Sequence, residues 1–294
     1  MNITEVYERF PEERDCIAYL EVIRWHDTPT CPYCKSTRVT SFKIEQRHHC
    51  NSCNTSFSVT VGTIFHHTHL PLQKWFLAVS LILNAKKGIA ARQLGRDLNI
   101  NRNTAWYLAM RIRKAMMEHP QRELLQGIVE MDETYIGGKP RKENKREDDK
   151  PHKRGRGTDK TPVVGMKERD GKVVAKVVKK DQLNGKSLSR LVREHVDIEH
   201  TTLMTDEYTG YHHISSFMEH KSVNHTVCYV NGEIHTNSIE SFWALLKRGL
   251  VGQFHKVSIR HLPRYISEFS YRLNNREHAG VFLLTIEKGL GVAK

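Results

Sequence analysis

Four cysteines in this 294-residue chain fall into one pattern, C-x2-C-x15-C-x2-C, formed by Cys31, Cys34, Cys50 and Cys53 in "CPYCKSTRVTSFKIEQRHHCNSC". Two CxxC knuckles on tight turns bring four thiolates to the corners of a tetrahedron, the geometry Zn2+ takes in structural sites. Val39, Ser41 and Lys43 alternate between the knuckles as a small hairpin does, and "FSVTVGTIF" beyond them reads as a further strand. The pattern is that of a zinc ribbon. A unit this small cannot bury enough apolar surface to fold without metal, so structural Zn2+ is expected. His48 and His49 abut Cys50 and compete as ligands on paper, but the simpler reading leaves them exposed and basic. Cys16 and Cys228 stand alone and read as packed small residues.

Charge narrows the class of partner. The formal net charge is +13, which points to a polyanion, most often nucleic acid, and away from an ordinary metabolic enzyme. No run of 18 apolar residues occurs, so no spanning helix is expected. The start, "MNITEVYERFPEERDC", is polar and acidic and resembles neither a signal nor a transit peptide. A cytoplasmic protein with reduced thiols is the expectation, which suits metal-binding cysteines better than disulfides.

Two helical stretches follow the ribbon. "LPLQKWFLAVSLILNAKKG" places Trp75, Phe76, Val79, Ile82 and Leu83 at helical spacing, with Pro71 in the first turn and Gly88 at the end. In "IAARQLGRDLNINRNTAWYLAMRIRKAM", residues 90–98 form a short helix, Asn99, Ile100 and Asn101 a turn, and residues 102–117 a second, basic helix capped by Asn101 or Asn103. Helix, tight turn and basic helix is helix-turn-helix geometry, although a plain helical hairpin fits the same pattern. Arg102, Asn103, Thr104, Tyr107 and Arg111 are the candidate DNA-binding residues. The regions expected are 1–69 with the ribbon, 70–120 with the helix-turn-helix, and 121–294.

Within that last region, residues 139–160 carry ten basic and five acidic side chains and almost nothing apolar. A mobile basic loop over 139–161 is expected, either clamping DNA or simply solvated. Strand signals flank it: "IVEMDETYI" before, and the hairpin "PVVGMKERDGKVVAKVV" after. The loop therefore interrupts one sheet. "GKSLSRLVREHV" then reads as a helix, "TTLMTDEYTGY" as a strand ending at Asp206, and "HTNSIESFWALLKRGL" as an amphipathic helix capped by Thr236 or Asn237, with Ile239, Phe242, Leu245 and Leu246 inward. Asn237, Glu240 and Lys247 are spaced by near-whole turns and share a flank.

A strand ending near Asp132, a hairpin, a helix, a strand with Asp206 and a helix with Glu240 follow the order of an RNase H-like α/β fold, a mixed sheet flanked by helices. In such a sheet the first and fourth strands are neighbours, so the two aspartates meet and the helix brings a third carboxylate across. Like charges that close are costly unless a cation lies between them. Mg2+ takes oxygen ligands and keeps positions for phosphate, and two such ions about 4 Å apart serve both the attacking and the leaving oxygen.

"CPYC…CNSC", "MDETYIGGK", "TDEYTGY" and "HTNSIESFWALLKRG" together resemble the insertion-sequence DDE transposases of the ISXO-like group, which carry an N-terminal zinc ribbon. The resemblance covers nearly the whole chain. It implies Mg2+- (or Mn2+-) dependent strand cleavage at element ends, strand transfer into target DNA, and a dimer or larger synaptic assembly on terminal inverted repeats. Asp132 and Asp206 match the two family aspartates. Glu240 with Lys247 seven residues on fits the third position, while some members of the group place an Asn there, which makes Asn237 the alternative. Glu240 is favoured because a carboxylate binds Mg2+ better than an amide; Asn237 remains a ligand or a helix cap. Lys247 would touch phosphate near the scissile bond.

Glu133 and Glu207 each follow an aspartate; strand alternation sends them to the opposite face, which reads as structural. His235 is either close to DNA or an ordinary surface histidine. In "LPRYISEFSYRLNNR", Tyr265, Phe269 and Leu273 read as core, and Arg264, Arg272 and Arg276 as support for phosphate contacts. Two other functions fit parts of the pattern: a DNA-binding regulator with a vestigial catalytic domain, and a structure-specific nuclease or resolvase on the same fold.

Overall fold

The computed structural model describes residues 1–117, 123–138, 158–223 and 235–292. In chain order the elements begin with α1 (Ile3–Arg9), α2 (Glu13–Trp25), β1 (Val39–Phe42), β2 (Arg47–Cys50) and β3 (Thr55–Phe57). Next come α3 (Leu72–Asn84), α4 (Ala91–Asp97) and α5 (Arg102–Ala115). Then follow β4 (Leu125–Ile136), β5 (Thr161–Glu168), β6 (Val173–Val177), α6 (Gly185–His195), β7 (Val196–Asp206) and β8 (Glu219–Val223). The chain closes with α7 (Asn237–Gly249), α8 (Leu262–Asn274) and α9 (Val281–Leu290). Among the described residues no helix is long and apolar enough to cross a membrane. The basic loop expected over 139–161 falls largely outside the described residues, as does Cys228.

Packing divides the chain into two compact units, Met1–Met117 with Glu277–Lys294, and Glu118–Arg276. This differs from the three regions expected at 1–69, 70–120 and 121–294. Ribbon and helices share one unit, and α9 belongs with them. The reason is apolar: Phe282 and Ile286 are buried, and Phe282 meets Phe76 edge-on at 5.8 Å, next to the Phe10–Phe76 contact at 4.8 Å. An amphipathic pattern says that a helix is buried, not against what.

In the first unit β1, β2 and β3 form an antiparallel sheet. The third strand lies ahead of the expected "FSVTVGTIF" run: it spans Thr55–Phe57 and ends on the first residue of that run, the rest of which forms turns. Arg24 on α2 holds that turn region, donating to the carbonyls of Val59 at 2.5 Å and Val61 at 2.8 Å. α4 and α5 pack on each other across residues 98–101. Asn101 caps α5, its Oδ1 accepting from the Asn103 N–H at 2.8 Å. Asn99 takes the left-handed conformation at φ +49°, which Asn tolerates better than most residues. Gly95 lets the turn close on α4, since a Cβ there would stand 3.0 Å from the Ile100 carbonyl oxygen.

The second unit is built on a five-stranded sheet of order β6-β5-β4-β7-β8. β4 pairs antiparallel with β5, and β5 with β6, whereas β4–β7 and β7–β8 are parallel. The order and directions are consistent with an RNase H-like sheet, and the strands bearing Asp132 and Asp206 are neighbours as expected. One face carries Val129, Met131, Val164, Met166 and Leu203 against Leu188 and Val192 of α6. On the other face Ile239, Phe242, Trp243 and Leu246 of α7 are buried, and α7 packs on β4 and β5. α8 is pinned to β6 by Asn274, whose amide donates to the Val173 carbonyl at 2.9 Å and accepts from its N–H at 2.8 Å.

Candidate metal centres

Asp132 does not end its strand. β4 runs on to Ile136, paired with β5 throughout, and Asp132 stands opposite Gly165. What ends there is the parallel pairing with β7, whose last partners are Met131 and Thr205. Asp206 is the final residue of β7, so its side chain faces the freed edge of β4. The Asp132, Glu133 and Asp206 carboxylates each offer an oxygen within 4.8 Å of the others. Glu133 therefore does more than the structural reading allowed. It does alternate away from Asp132, but on an edge without a β7 neighbour its longer side chain reaches the same space. The buried Tyr211 hydroxyl donates to its Oε2 at 2.7 Å. Glu207 is exposed.

Crowding leaves an electrostatic signature. Burial, then the charges of Glu133 and Asp206, push the Asp132 carboxyl up to about 7, against hydrogen bonds that favour the anion. An all-oxygen donor set with excess negative charge fits a hard divalent cation. The third-ligand candidates stand at the start of α7. Asn237 is the exposed first residue of α7, and Glu240 is exposed one turn on, its Oε1 accepting from the Thr236 hydroxyl at 3.3 Å. Among the described residues Glu240 is not one of the three carboxylates that share that space.

Thr236 occupies the N-cap position of α7 but makes no side-chain cap bond. That job falls to Glu130, two residues before Asp132 and on the same face of β4. Glu130 is fully buried, and its Oε2 accepts from the N–H groups of Ser238 at 2.7 Å and Ile239 at 3.0 Å. Trp243, further along α7, donates its indole N–H to Asp132 Oδ2 at 3.0 Å. The indole fits only because its neighbour is glycine: a Cβ on Gly165 would lie 2.5 Å from Trp243 Cζ2 and 2.9 Å from Ile239 Cδ1. Gly165→Ala is therefore expected to destabilise the sheet unit by about 1–3 kcal/mol through overpacking and to break the Trp243–Asp132 bond. Urea denaturation checks the first effect, and an unchanged midpoint would refute it.

The four-cysteine site is complete. Cys31, Cys34, Cys50 and Cys53 sulfurs lie within 4.8 Å of one another, with Cys31–Cys53 at 3.7 Å and Cys34–Cys50 at 3.5 Å. Tetrahedral Zn2+ with bonds of about 2.3 Å requires sulfurs about 3.8 Å apart, so the cage has the dimensions of the ion. Lys35 and Asn54, the residues after each knuckle, both take positive φ, +63° and +54°. Burial opposes ionisation of Cys50, but the N–H groups of Cys53 and Ser52 and the adjacent thiols hold it below the usual thiol range, while Cys34, against the Ser36 N–H, is pushed up by its thiol neighbours. His48 is neither ligand nor exposed. It is buried, with Nε2 2.8 Å from Glu21 and Nδ1 3.0 Å from the Ser41 hydroxyl. It stacks on Phe57 within the ribbon and meets Trp25 of α2 edge-on at 4.9 Å, so with the Glu21 contact it joins ribbon to α2. His49 bonds to Ser56 and Asn54.

Of the candidate DNA-binding residues, Arg102, Asn103, Thr104 and Tyr107 are exposed along α5. Arg111 is engaged within its own unit: it donates to the His66 carbonyl at 2.8 Å and lies over the Trp75 and Tyr107 rings. His235 is held inward, 3.3 Å from Glu130 Oε1. Lys247 and Arg276 are exposed and Arg264 is half-buried. Arg272 pairs with buried Glu268 at 3.4 Å.

A mixed sheet of this order, with acidic side chains gathered where its two central parallel strands part, defines an α/β domain with catalytic potential, and a metal-binding ribbon precedes it. Comparison with known proteins makes the assignment specific: this chain belongs to the ISXO2-like transposase family. The family model for the ISXO2-like transposase domain matches residues 124–274, and that for the transposase zinc-ribbon domain matches residues 11–56. A relative from Halobacterium salinarum, described as an uncharacterized protein in transposable element ISH50, is 31% identical over 282 residues, covering 90% of this chain and 91% of its own. No solved structure matches the chain significantly. Family membership carries DNA binding in general terms.

The ribbon was visible as spacing in the sequence, and the two aspartates through the order of elements. Glu133 was read as structural, and Glu130, Tyr211, Trp243 and Gly165 were not picked out. The only sequence signal for Glu130 was an acidic residue at an inward position of an apolar strand, two before Asp132.

Proposed function

We propose that this chain is an active DDE-type transposase, cleaving DNA at insertion-sequence ends and joining the freed end to target DNA. The observation that carries this reading is the convergence of Asp132 and Asp206, with Glu133, at the parting of β4 and β7. Bound there, Mg2+ or Mn2+ would supply charge neutralisation for the attacking and leaving oxygens of phosphoryl transfer. Asp132 and Asp206 hold the cation, and Trp243 fixes the rotamer of Asp132 by occupying Oδ2. In the first step a water oxygen bonds to phosphorus and the P–O3′ bond breaks, freeing a 3′-hydroxyl. In the second that hydroxyl attacks a target phosphorus and displaces another 3′-oxygen. Lys247, exposed near the end of α7, contacts phosphate. Arg102, Asn103, Thr104 and Tyr107, on the second helix of a helix-turn-helix, read the terminal repeats together with the Zn2+-loaded ribbon. Joining two ends calls for a dimer or larger assembly in the cytoplasm.

The third ligand is Glu240, Asn237 or Glu133, and one experiment separates them. Strand joining on the element's own ends, with and without Mg2+, is compared for Glu240→Gln, Asn237→Ala and Glu133→Gln. Loss of a metal ligand costs several kcal/mol of transition-state stabilisation, roughly 10³-fold in rate. Glu240→Gln is expected to show that loss. Loss confined to Asn237→Ala moves the ligand to the first turn, and loss confined to Glu133→Gln moves it to β4. Well-folded, zinc-loaded protein that binds the ends yet shows no Mg2+-dependent cleavage would sink the enzyme reading and leave a regulator.

A further inference from the structure

Glu130 is a carboxylate with no access to water, and burial of a charge is costly unless every lone pair is used. Here they are used. Oε2 takes the Ser238 and Ile239 N–H groups, and Oε1 faces Arg169 Nε at 3.3 Å and His235 Nδ1 at 3.3 Å. The two N–H groups are unbonded donors in the first turn of α7, where the helix dipole also favours an anion. Glu130 therefore caps α7 from another element. Arg169 comes from the turn of the β5–β6 hairpin, with its own N–H bonded to the Ile128 carbonyl at 3.0 Å. One side chain thus ties three segments, β4, the hairpin turn and α7, at a single point.

The consequence follows from what α7 carries. Trp243 on this helix holds Asp132, and Asn237 and Glu240 lie in its first turn and a half. With β4 fixed in the sheet, depth and rotation of α7 set where these groups stand relative to Asp132 and Asp206. We infer that Glu130 is a positioning residue for the carboxylate metal centre, clamping the N-terminus of α7 to the strand that bears Asp132. The inference rests on the metal-binding reading proposed above and adds a residue which that reading does not require. It differs from a purely structural role in one measurable way. A structural residue changes how much protein is folded, whereas a positioning residue changes the affinity of the folded protein for the cation.

The test uses full-length, zinc-loaded protein and Mn2+ as the probe, with binding measured by calorimetry and by the spin resonance of free Mn2+. Asp132→Ala marks the binding that belongs to the carboxylate site. Glu130→Gln keeps the volume but turns one acceptor into an amide donor facing Arg169 and His235. It is expected to weaken Mn2+ binding about tenfold or more, the usual range for supports of metal ligands, and to raise half-saturating Mg2+ for cleavage by a similar factor. Glu268→Gln removes a different buried carboxylate, on α8; it is expected to lower the melting temperature with Mn2+ affinity unchanged. Arg169→Lys leaves Glu130 and a positive charge in place but withdraws Nε, and is expected to weaken binding by a smaller factor. It carries the test should Glu130→Gln fail to fold. Wild-type affinity in folded Glu130→Gln or Arg169→Lys overturns the inference. Equal Mn2+ binding by wild type and Asp132→Ala overturns the metal reading itself, a distinct result.

Discussion

Asp132→Asn is expected to abolish Mg2+-dependent cleavage while raising the stability of the cation-free protein. The wild-type carboxyl is pushed up to about 7 in the fold from an ordinary value of 3.8, by burial first and by its acidic neighbours second. A carboxyl whose folded value is raised contributes stability that is full below the unfolded value and is lost as pH rises through the folded one. Between about pH 4 and 7 the cation-free sheet unit therefore loses stability at this site, by an amount on the order of 2–4 kcal/mol. Asparagine keeps the acceptor for Trp243 and carries no charge, so the loss disappears. At pH 8 without added divalent cation, the variant should melt about 5–10 °C above wild type. Added Mg2+ should raise the wild-type melting temperature and leave the variant unmoved. A wild type whose stability climbs from pH 5 to pH 8 without Mg2+, or a variant equally stabilised by Mg2+, would contradict this account of the site.

Cys50→Ser, or removal of Zn2+ by a strong chelator, is expected to unfold the ribbon and abolish specific binding to element ends while the sheet unit stays folded. The ribbon's own buried cluster is Cys31, Cys50 and Phe57, with Trp25, Val39, Cys53 and Val61 packed around it. Two of the three buried members are metal ligands, so little apolar burial remains when the ion leaves. Structural Zn2+ in units of this size supplies about 10 kcal/mol or more of apparent free energy, which is folding free energy. The expected readings are stoichiometric zinc in the wild type, loss of ribbon amide protection in the variant, and binding of the terminal repeats no tighter than of unrelated DNA. Mn2+ binding at Asp132 and Asp206 should be unchanged, because those ligands belong to the other compact unit. Retained ribbon protection after zinc removal would show that its apolar contacts suffice.

The sequence by itself determined those features whose physics is local. Knuckle spacing dictates the four-thiolate cage, because two residues between cysteines make one turn and four sulfurs make one tetrahedron. Strand and helix periodicity, with Asn101 at a cap, placed α3, α4, α5, α6 and α7 to within a few residues. The order of elements implied that β4 and β7 are neighbours, and therefore that Asp132 and Asp206 meet. Tertiary structure alone decided the rest. That α9 completes the first unit depends on which apolar surface is left open there. That Glu133 joins the aspartates depends on β7 ending one residue short of it, a fact of register between strands far apart in the sequence. That Glu130 caps α7, that Trp243 holds Asp132 and that Gly165 makes room for the indole are contacts between segments equally distant along the chain. A periodic pattern records which face of an element is buried. It holds no information about the depth and rotation at which two buried faces meet, and in this protein those two quantities decide that Trp243 reaches Asp132 and that Glu130 reaches the start of α7.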